Sequence, residues 1–296
     1  WVASVNYQED VRISKNILAQ VSEMYRRIRN TLFKFVLGNL SDFDITKDKN
    51  ICFTELDNLV LFELQTNLDS IVKAYENYDF ATVVKTANLH TINLSTWYLD
   101  IIKDTLYCDD VNDPKRRAVQ TVLYCILSTY LSVLSPIMPY TCEEAYKEFN
   151  CAYKQESIVL EPFVNSFDVF KSFKIEIKPV NKEYWNMFNK IKDATYLRLE
   201  QLRAEQIINK NTQAFVKVEL NNSFYHFEAD TLKQYLNVAK VYLVDDANLD
   251  SKTFDVEANN ADLVRCDRCW NYFDKEQINK DWLCPRCQKV LKSRKK

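Results

Sequence analysis

Apolar side chains at Ile17, Leu18, Val21, Met24, Tyr25, Ile28, Leu32, Phe35 and Val36 return every three or four positions, which marks one face of a helix. Ser14 is placed to cap its start, and Gly38-Asn39 to close its end. The same period runs through Glu55 to Tyr75, Phe80 to Ile102 and Pro114 to Leu134, with polar or acidic breaks between the segments. Ser135-Pro136 and Pro139 are expected to stop the last of these, and Thr141 with Glu144 offers a capping box for the next. Helices joined this closely bury one stripe each, so residues 1–155 are expected to form an antiparallel helix bundle.

Beyond the bundle the pattern changes twice. The segment 156–180, with Pro162, Pro179 and several Phe, sustains no period and reads as a linker. Asn181 to Asn209 returns to a helical period through Trp185, Phe188, Ile191 and Leu202, and is expected to turn at Ile208-Asn209-Lys210-Asn211. Val216, Val218 and Leu220 then alternate with Lys217 and Glu219. Asn221-Asn222 offers a tight turn, and Phe224 to Phe227 could return as the second strand of a hairpin. A short helix from Asp230 and an apolar run from Val238 to Val244 complete a small α/β unit over 181–255. The expected fold is mainly α: the bundle, this α/β unit, and a cysteine-bearing knuckle over 256–296.

In that last segment Cys266, Cys269, Cys284 and Cys287 form two C-x-x-C pairs separated by fourteen residues. Four soft sulfur ligands at this spacing suit a closed tetrahedral Zn²⁺, a structural site with no open position for water. Disulfides and unpaired thiols are the competing readings. The other five cysteines, Cys52, Cys108, Cys125, Cys142 and Cys151, have no partner spacing and read as small apolar fillers. An odd total of nine, no signal peptide and no apolar stretch of membrane length argue for a cytoplasmic protein with no membrane partner.

Composition removes several enzyme classes. In 296 residues the only glycine is Gly38, and loops that cradle phosphates or dinucleotides need several. Only His90 and His226 are present, and no motif surrounds either, so a histidine-based nucleophilic triad is not expected. Charge separates along the chain: from Asp262 to Lys296 ten Lys/Arg stand against five Asp/Glu, while the remainder holds 29 basic and 36 acidic residues. A basic knuckle carrying Trp270, Tyr272, Phe273 and Trp282 could hold phosphates and stack unpaired RNA bases. The alternative is that Trp270 and Trp282 pack over the metal and the Lys292–Lys296 tail is solvated. On the first helix Arg26, Arg27, Arg29 and Asn30 form a polar cluster, either phosphate-binding or ordinary solvated charge.

Ordered blocks through the chain carry a resemblance. Trp1-Val-Ala-Ser4, Asp10-Val-Arg-Ile-Ser14, Tyr25-Arg-Arg-Ile-Arg-Asn-Thr31, Gly38-Asn-Leu-Ser-Asp-Phe43, Leu94-Ser-Thr-Trp-Tyr-Leu-Asp100 and Leu134-Ser-Pro-Ile-Met-Pro139 resemble isoleucyl-tRNA synthetase. Cys266-Asp-Arg-Cys269-Trp270 with Cys284-Pro-Arg-Cys287 is similar to the bacterial-type enzyme in particular. The resemblance implies that the bundle is the anticodon-binding domain of a class I synthetase and that the partner is isoleucine tRNA; a monomer is expected. The resemblance further implies that ATP binding and editing belong to a catalytic part preceding these blocks. Neither a HIGH nor a KMSKS motif occurs in this sequence, so the chain alone is expected to be non-catalytic. For RNA positioning the expected residues are Arg26, Arg27, Arg29, Arg265, Arg268 and Arg286, and for base contact Trp270 or Trp282, with Asn30 possible. Asp57-Asn58-Leu59, where the family usually has a Trp after the Asp, and Leu89-His90, in place of a more usual Phe-Cys, read as packing variation. A stand-alone zinc-containing RNA-binding or protein-interaction module is the competing class, but it gives no reason for the ordered blocks.

Overall fold

A computed structural model describes residues 1–47, 51, 53–151, 154–161, 163, 170 and 174–294. Cys52, Pro162 and the terminal Lys295-Lys296 therefore lie outside the described residues. The chain divides into two compact units, Trp1–Leu106 with Asp110–Val180, and Tyr107–Asp109 with Asn181–Lys296.

The first unit is helical. Helix α1 (Lys15–Ile28) starts where Ser14 Oγ accepts the Ile17 N–H at 3.2 Å. It continues into a wider π-helical segment, Arg29–Val36, a feature that the apolar periodicity did not anticipate. The helix does end at Gly38-Asn39, but not through a left-handed glycine: no glycine has positive φ, and a Cβ there would meet nothing within 4 Å. The end is made by Asn39 instead, whose side-chain amide donates to the Phe35 carbonyl at 2.8 Å.

Helix α2 (Glu55–Glu76) opens on a capping box between Thr54 and Asp57. Helix α3 (Phe80–Asn93) passes through a second π-helical segment, Leu94–Tyr98, into α4 (Leu99–Cys108), so the single helix expected from Phe80 is widened in its middle. Helix α5 (Pro114–Leu134) begins at Asp113, whose carboxylate accepts the Lys115 N–H at 2.9 Å. It is the core element: Val122, Leu123, Cys125, Ile126 and Leu127 are fully buried. With a mean hydropathy of 1.3 it is long and apolar enough to cross a membrane, contrary to the expectation from sequence, but 83% of its apolar window is buried inside the protein. Helix α6 (Pro139–Glu148) corrects another expectation. Pro139 sits in its first turn rather than ending its predecessor, because proline's missing N–H costs nothing there, and no side chain caps it.

Two sequence departures acquire partners. The Asn58 amide, 4% exposed, pairs with the backbone of Lys178, donating to its carbonyl at 3.0 Å and accepting its N–H at 2.7 Å. His90 is buried with Nδ1 2.7 Å from the Tyr130 hydroxyl, and burial lowers its pKa from 6.5 to about 4. The filler reading holds for Cys108, Cys125 and Cys142, which are buried; Cys151 is half-buried.

In the second unit, helix α7 (Lys182–Ala204) is capped by Asn181, and Trp185 and Phe188 on its inner face meet Tyr235 at 5.7 Å each. The left-handed residue after this helix is Gln206, not one of the asparagines expected to turn the chain. Strand β1 (Ala214–Leu220) lies between β2 (Lys240–Asp245), parallel to it, and β3 (Phe254–Asn260), antiparallel, with α8 (Ala229–Leu236) as the crossover. The expected hairpin at Asn221-Asn222 is absent. Both asparagines spend their amides on loop closure: Asn222 clasps the Phe227 backbone at 2.7 and 3.0 Å, and Asn221 donates to Leu249 O at 2.9 Å. Phe224–Phe227 therefore stays in that loop, and the edges of β1 go to distant strands.

Candidate metal centre and nucleic-acid interface

The finger is built on a two-stranded ribbon, β4 (Val264–Arg265) with β5 (Tyr272–Phe273), followed by helix α9 (Pro285–Ser293). Cys266 and Cys269 lie on the turn of the ribbon, Cys284 caps α9, and Cys287 projects from its first turn. Pro285 opens that helix, which brings the second pair back toward the first.

The four Sγ atoms all lie within 4.8 Å of one another, and Cys269 Sγ stands 3.9 Å from Cys284 Sγ. A tetrahedral Zn²⁺ with bonds of about 2.3 Å needs sulfurs about 3.8 Å apart, so the donor set fits this ion in number, chemistry and spacing. Cys266, Cys284 and Cys287 are fully buried, with Phe273, Ile278 and Leu283 packed against the cluster. Backbone N–H groups turn toward the sulfurs, as from Cys284 N to Cys266 Sγ at 3.3 Å. Burial opposes ionisation of Cys266, but amide donors from Cys269, Cys284 and Arg268 outweigh it and bring the pKa down to about 7. Burial pushes Cys284 up to about 11. A cation that balances the thiolates is what makes the closed cluster favourable.

Trp270 and Trp282 are not the finger's miniature core. They are 62% and 57% exposed, and both have left-handed backbones with φ of 62° and 56°. Trp270 is held there by its N–H to Cys266 O at 2.9 Å, and Trp282 by its N–H to Asn279 O at 3.0 Å and its carbonyl to Asp267 N at 2.9 Å. Bulky residues adopt this conformation at a cost, which the surrounding turn imposes.

The arginines divide by environment. Arg265 is exposed, 3.9 Å from Asp267. Arg268 is turned inward, with Nη1 2.6 Å from Cys108 O and 3.4 Å from Cys287 Sγ. Arg286 pairs with the nearly buried Asp109 at 3.1 Å. Both are thus anchored by residues at the end of α4, and nothing in their sequence context signalled it. On the first unit Arg26 pairs with Glu23, Arg27 with Asn88 at 3.1 Å and Arg29 with Glu144 at 3.1 Å, while Asn30 is exposed. Arg29, Phe33 and Lys34 from the π-helical turn, with Leu37 just after it, line a cavity of about 350 Å³ with Thr141, Glu144, Ala145 and Glu148.

Residues 57–220 match the family described as the anticodon-binding domain of tRNA ligase. That is more than half of the sequence. The chain belongs to this family. Residues 265–290 match a second family, the zinc finger found in FPG and IleRS, in agreement with the four-sulfur cluster and a structural Zn²⁺. Among curated proteins, the isoleucine–tRNA ligase of Malacoplasma penetrans is 42% identical over 296 residues, covering 100% of this chain and 31% of the relative. That of Ureaplasma parvum is 38% identical, covering 98% and 31%. That of Staphylococcus epidermidis is 35% identical, covering 99% and 32%. The chain thus spans about a third of the length of the relatives it matches; within it the first family match runs from α2 through α7 to the end of β1, and the second covers the finger.

Proposed function

We propose that the chain is the tRNA-reading portion of an isoleucine–tRNA ligase, a cytoplasmic, monomeric enzyme that attaches isoleucine to its tRNA with ATP. ATP and isoleucine are handled by the remainder of such a ligase. The partner of this portion is isoleucine tRNA, whose anticodon loop offers unstacked bases for recognition. The segments 1–155, 156–180, 181–255 and 256–296 divide the work as helical RNA-binding domain, linker, α/β unit and finger.

Cys266, Cys269, Cys284 and Cys287 hold one structural Zn²⁺, which fixes the turns that present Trp270 and Trp282. Those two rings stack on bases. Arg26, Arg27, Arg29, Asn30 and Arg265 contact the RNA directly, its phosphates above all, and Arg268 and Arg286 join them. Phosphate contacts set position and base contacts set specificity. The observation that carries the reading is the anticodon-binding match over 57–220 on the same chain as a four-sulfur finger with two solvent-facing tryptophans. In filter binding, the zinc-loaded chain should retain isoleucine tRNA more tightly than tRNAs bearing other anticodons. Equal retention of all tRNAs overturns the assignment.

A further inference from the structure

The α/β unit contributes to the finger's exposed ribbon in a way that the basic finger alone did not suggest. Lys210, in the turn before β1, holds its ammonium 5.9 Å from the centre of the Trp270 ring. The turn is fixed, because Gln213 Oε1 accepts both the Asn209 N–H at 2.7 Å and the Lys210 N–H at 3.1 Å. Lys233 on α8 stands 5.7 Å from the Phe273 ring, and Lys240 on β2 lies 3.6 Å from the Asp274 carboxylate. Of the three, Lys210 combines an exposed side chain, no carboxylate partner among the described residues and a mostly exposed ring beside it.

We infer that Lys210 is a further RNA-binding residue, neutralising one phosphodiester of the nucleotide that stacks on Trp270. The ring is a flat apolar platform with one side near a cation, and a base takes the open side. The phosphate of a stacked nucleotide hangs off the edge of its base, within the sweep of a four-carbon lysine arm. The ammonium at the ring loses little by turning to it, since a cation over an exposed aromatic is held only weakly. The α/β unit thereby becomes part of the RNA surface rather than a spacer before the finger. The inference rests on the proposed stacking role of Trp270.

The test is the salt dependence of isoleucine tRNA binding by the zinc-loaded chain carrying Lys210→Met, with Lys210→Arg and Lys233→Met alongside. Each phosphate contact to single-stranded nucleic acid contributes about −0.7 to the slope of log K against log salt. Lys210→Met should make the slope shallower by about that amount, with unchanged zinc content. Lys210→Arg should restore it, and Lys233→Met should leave it alone. An unchanged slope in Lys210→Met, while Trp270→Ala weakens binding, overturns the role of Lys210 and leaves the stacking reading intact. Binding indifferent to Trp270→Ala overturns both.

Discussion

Replacing Trp270 by glycine and, separately, by alanine separates the backbone of the finger from its ring. Both changes delete the indole, so whatever its partial burial contributes cancels between them. What remains is the left-handed φ of 62° at Trp270. An L-residue there brings its Cβ against the following carbonyl at roughly 1–2 kcal/mol, which glycine avoids. Glycine in turn loses roughly 0.5–1 kcal/mol more backbone entropy on folding. The difference favours Trp270→Gly over Trp270→Ala by about 0.7 kcal/mol, the reverse of the order at an ordinary position. Trp282, with φ of 56°, should repeat the result. Urea unfolding of the zinc-loaded variants, with zinc release to a chelator as a second readout, measures it. Both Trp270 variants should lose the same affinity for tRNA, about 1–3 kcal/mol, since they remove the same stacking surface. If alanine equals or exceeds glycine in stability at both positions, the turns do not impose the conformation and the argument for preset rings fails.

Acid should weaken the helical unit through His90. Its folded pKa lies below the unfolded value of 6.5, at about 4, so the stability it contributes is full above 6.5 and is lost as pH falls toward 4. Between pH 7 and 5 this is worth about 2 kcal/mol, and His90→Gln should flatten the pH dependence of urea unfolding by that amount; equal slopes count against it. Asn58→Ala removes both hydrogen bonds to Lys178. It should cost about 1–2 kcal/mol and accelerate amide exchange at Lys178, and unaltered exchange there contradicts the clasp.

The bundle was legible because its signals are local. Helix spans followed from apolar spacing, and Ser14 and Asn181 cap the helices they were expected to open. The π-helical turns at Arg29–Val36 and Leu94–Tyr98 were not, because a widened turn keeps an apolar face and alters only its phase. The hairpin failed for a long-range reason: an Asn-Asn pair reads as a turn until its amides find Phe227 and Leu249, and β1 takes its partners from Lys240–Asp245 and Phe254–Asn260. The alternation of Phe254, Val256 and Ala258 was the signal that could have revealed the third strand. At the metal centre two C-x-x-C pairs identified the sulfur cluster outright, since ligand spacing is itself a local property. The surroundings of Arg268 and Arg286 were invisible because Cys108 and Asp109 lie more than 150 residues earlier in the chain.

If zinc orders a finger that reads RNA, recognition of the anticodon must depend on the metal. The most direct measurement is equilibrium binding of the chain to isoleucine tRNA and to the same tRNA with a substituted anticodon, before zinc removal, after it, and after zinc is restored. The zinc-loaded chain should prefer the native anticodon, lose that preference on chelation and regain it with zinc. A preference that survives complete removal of the metal, or that is absent when zinc is bound, contradicts the account.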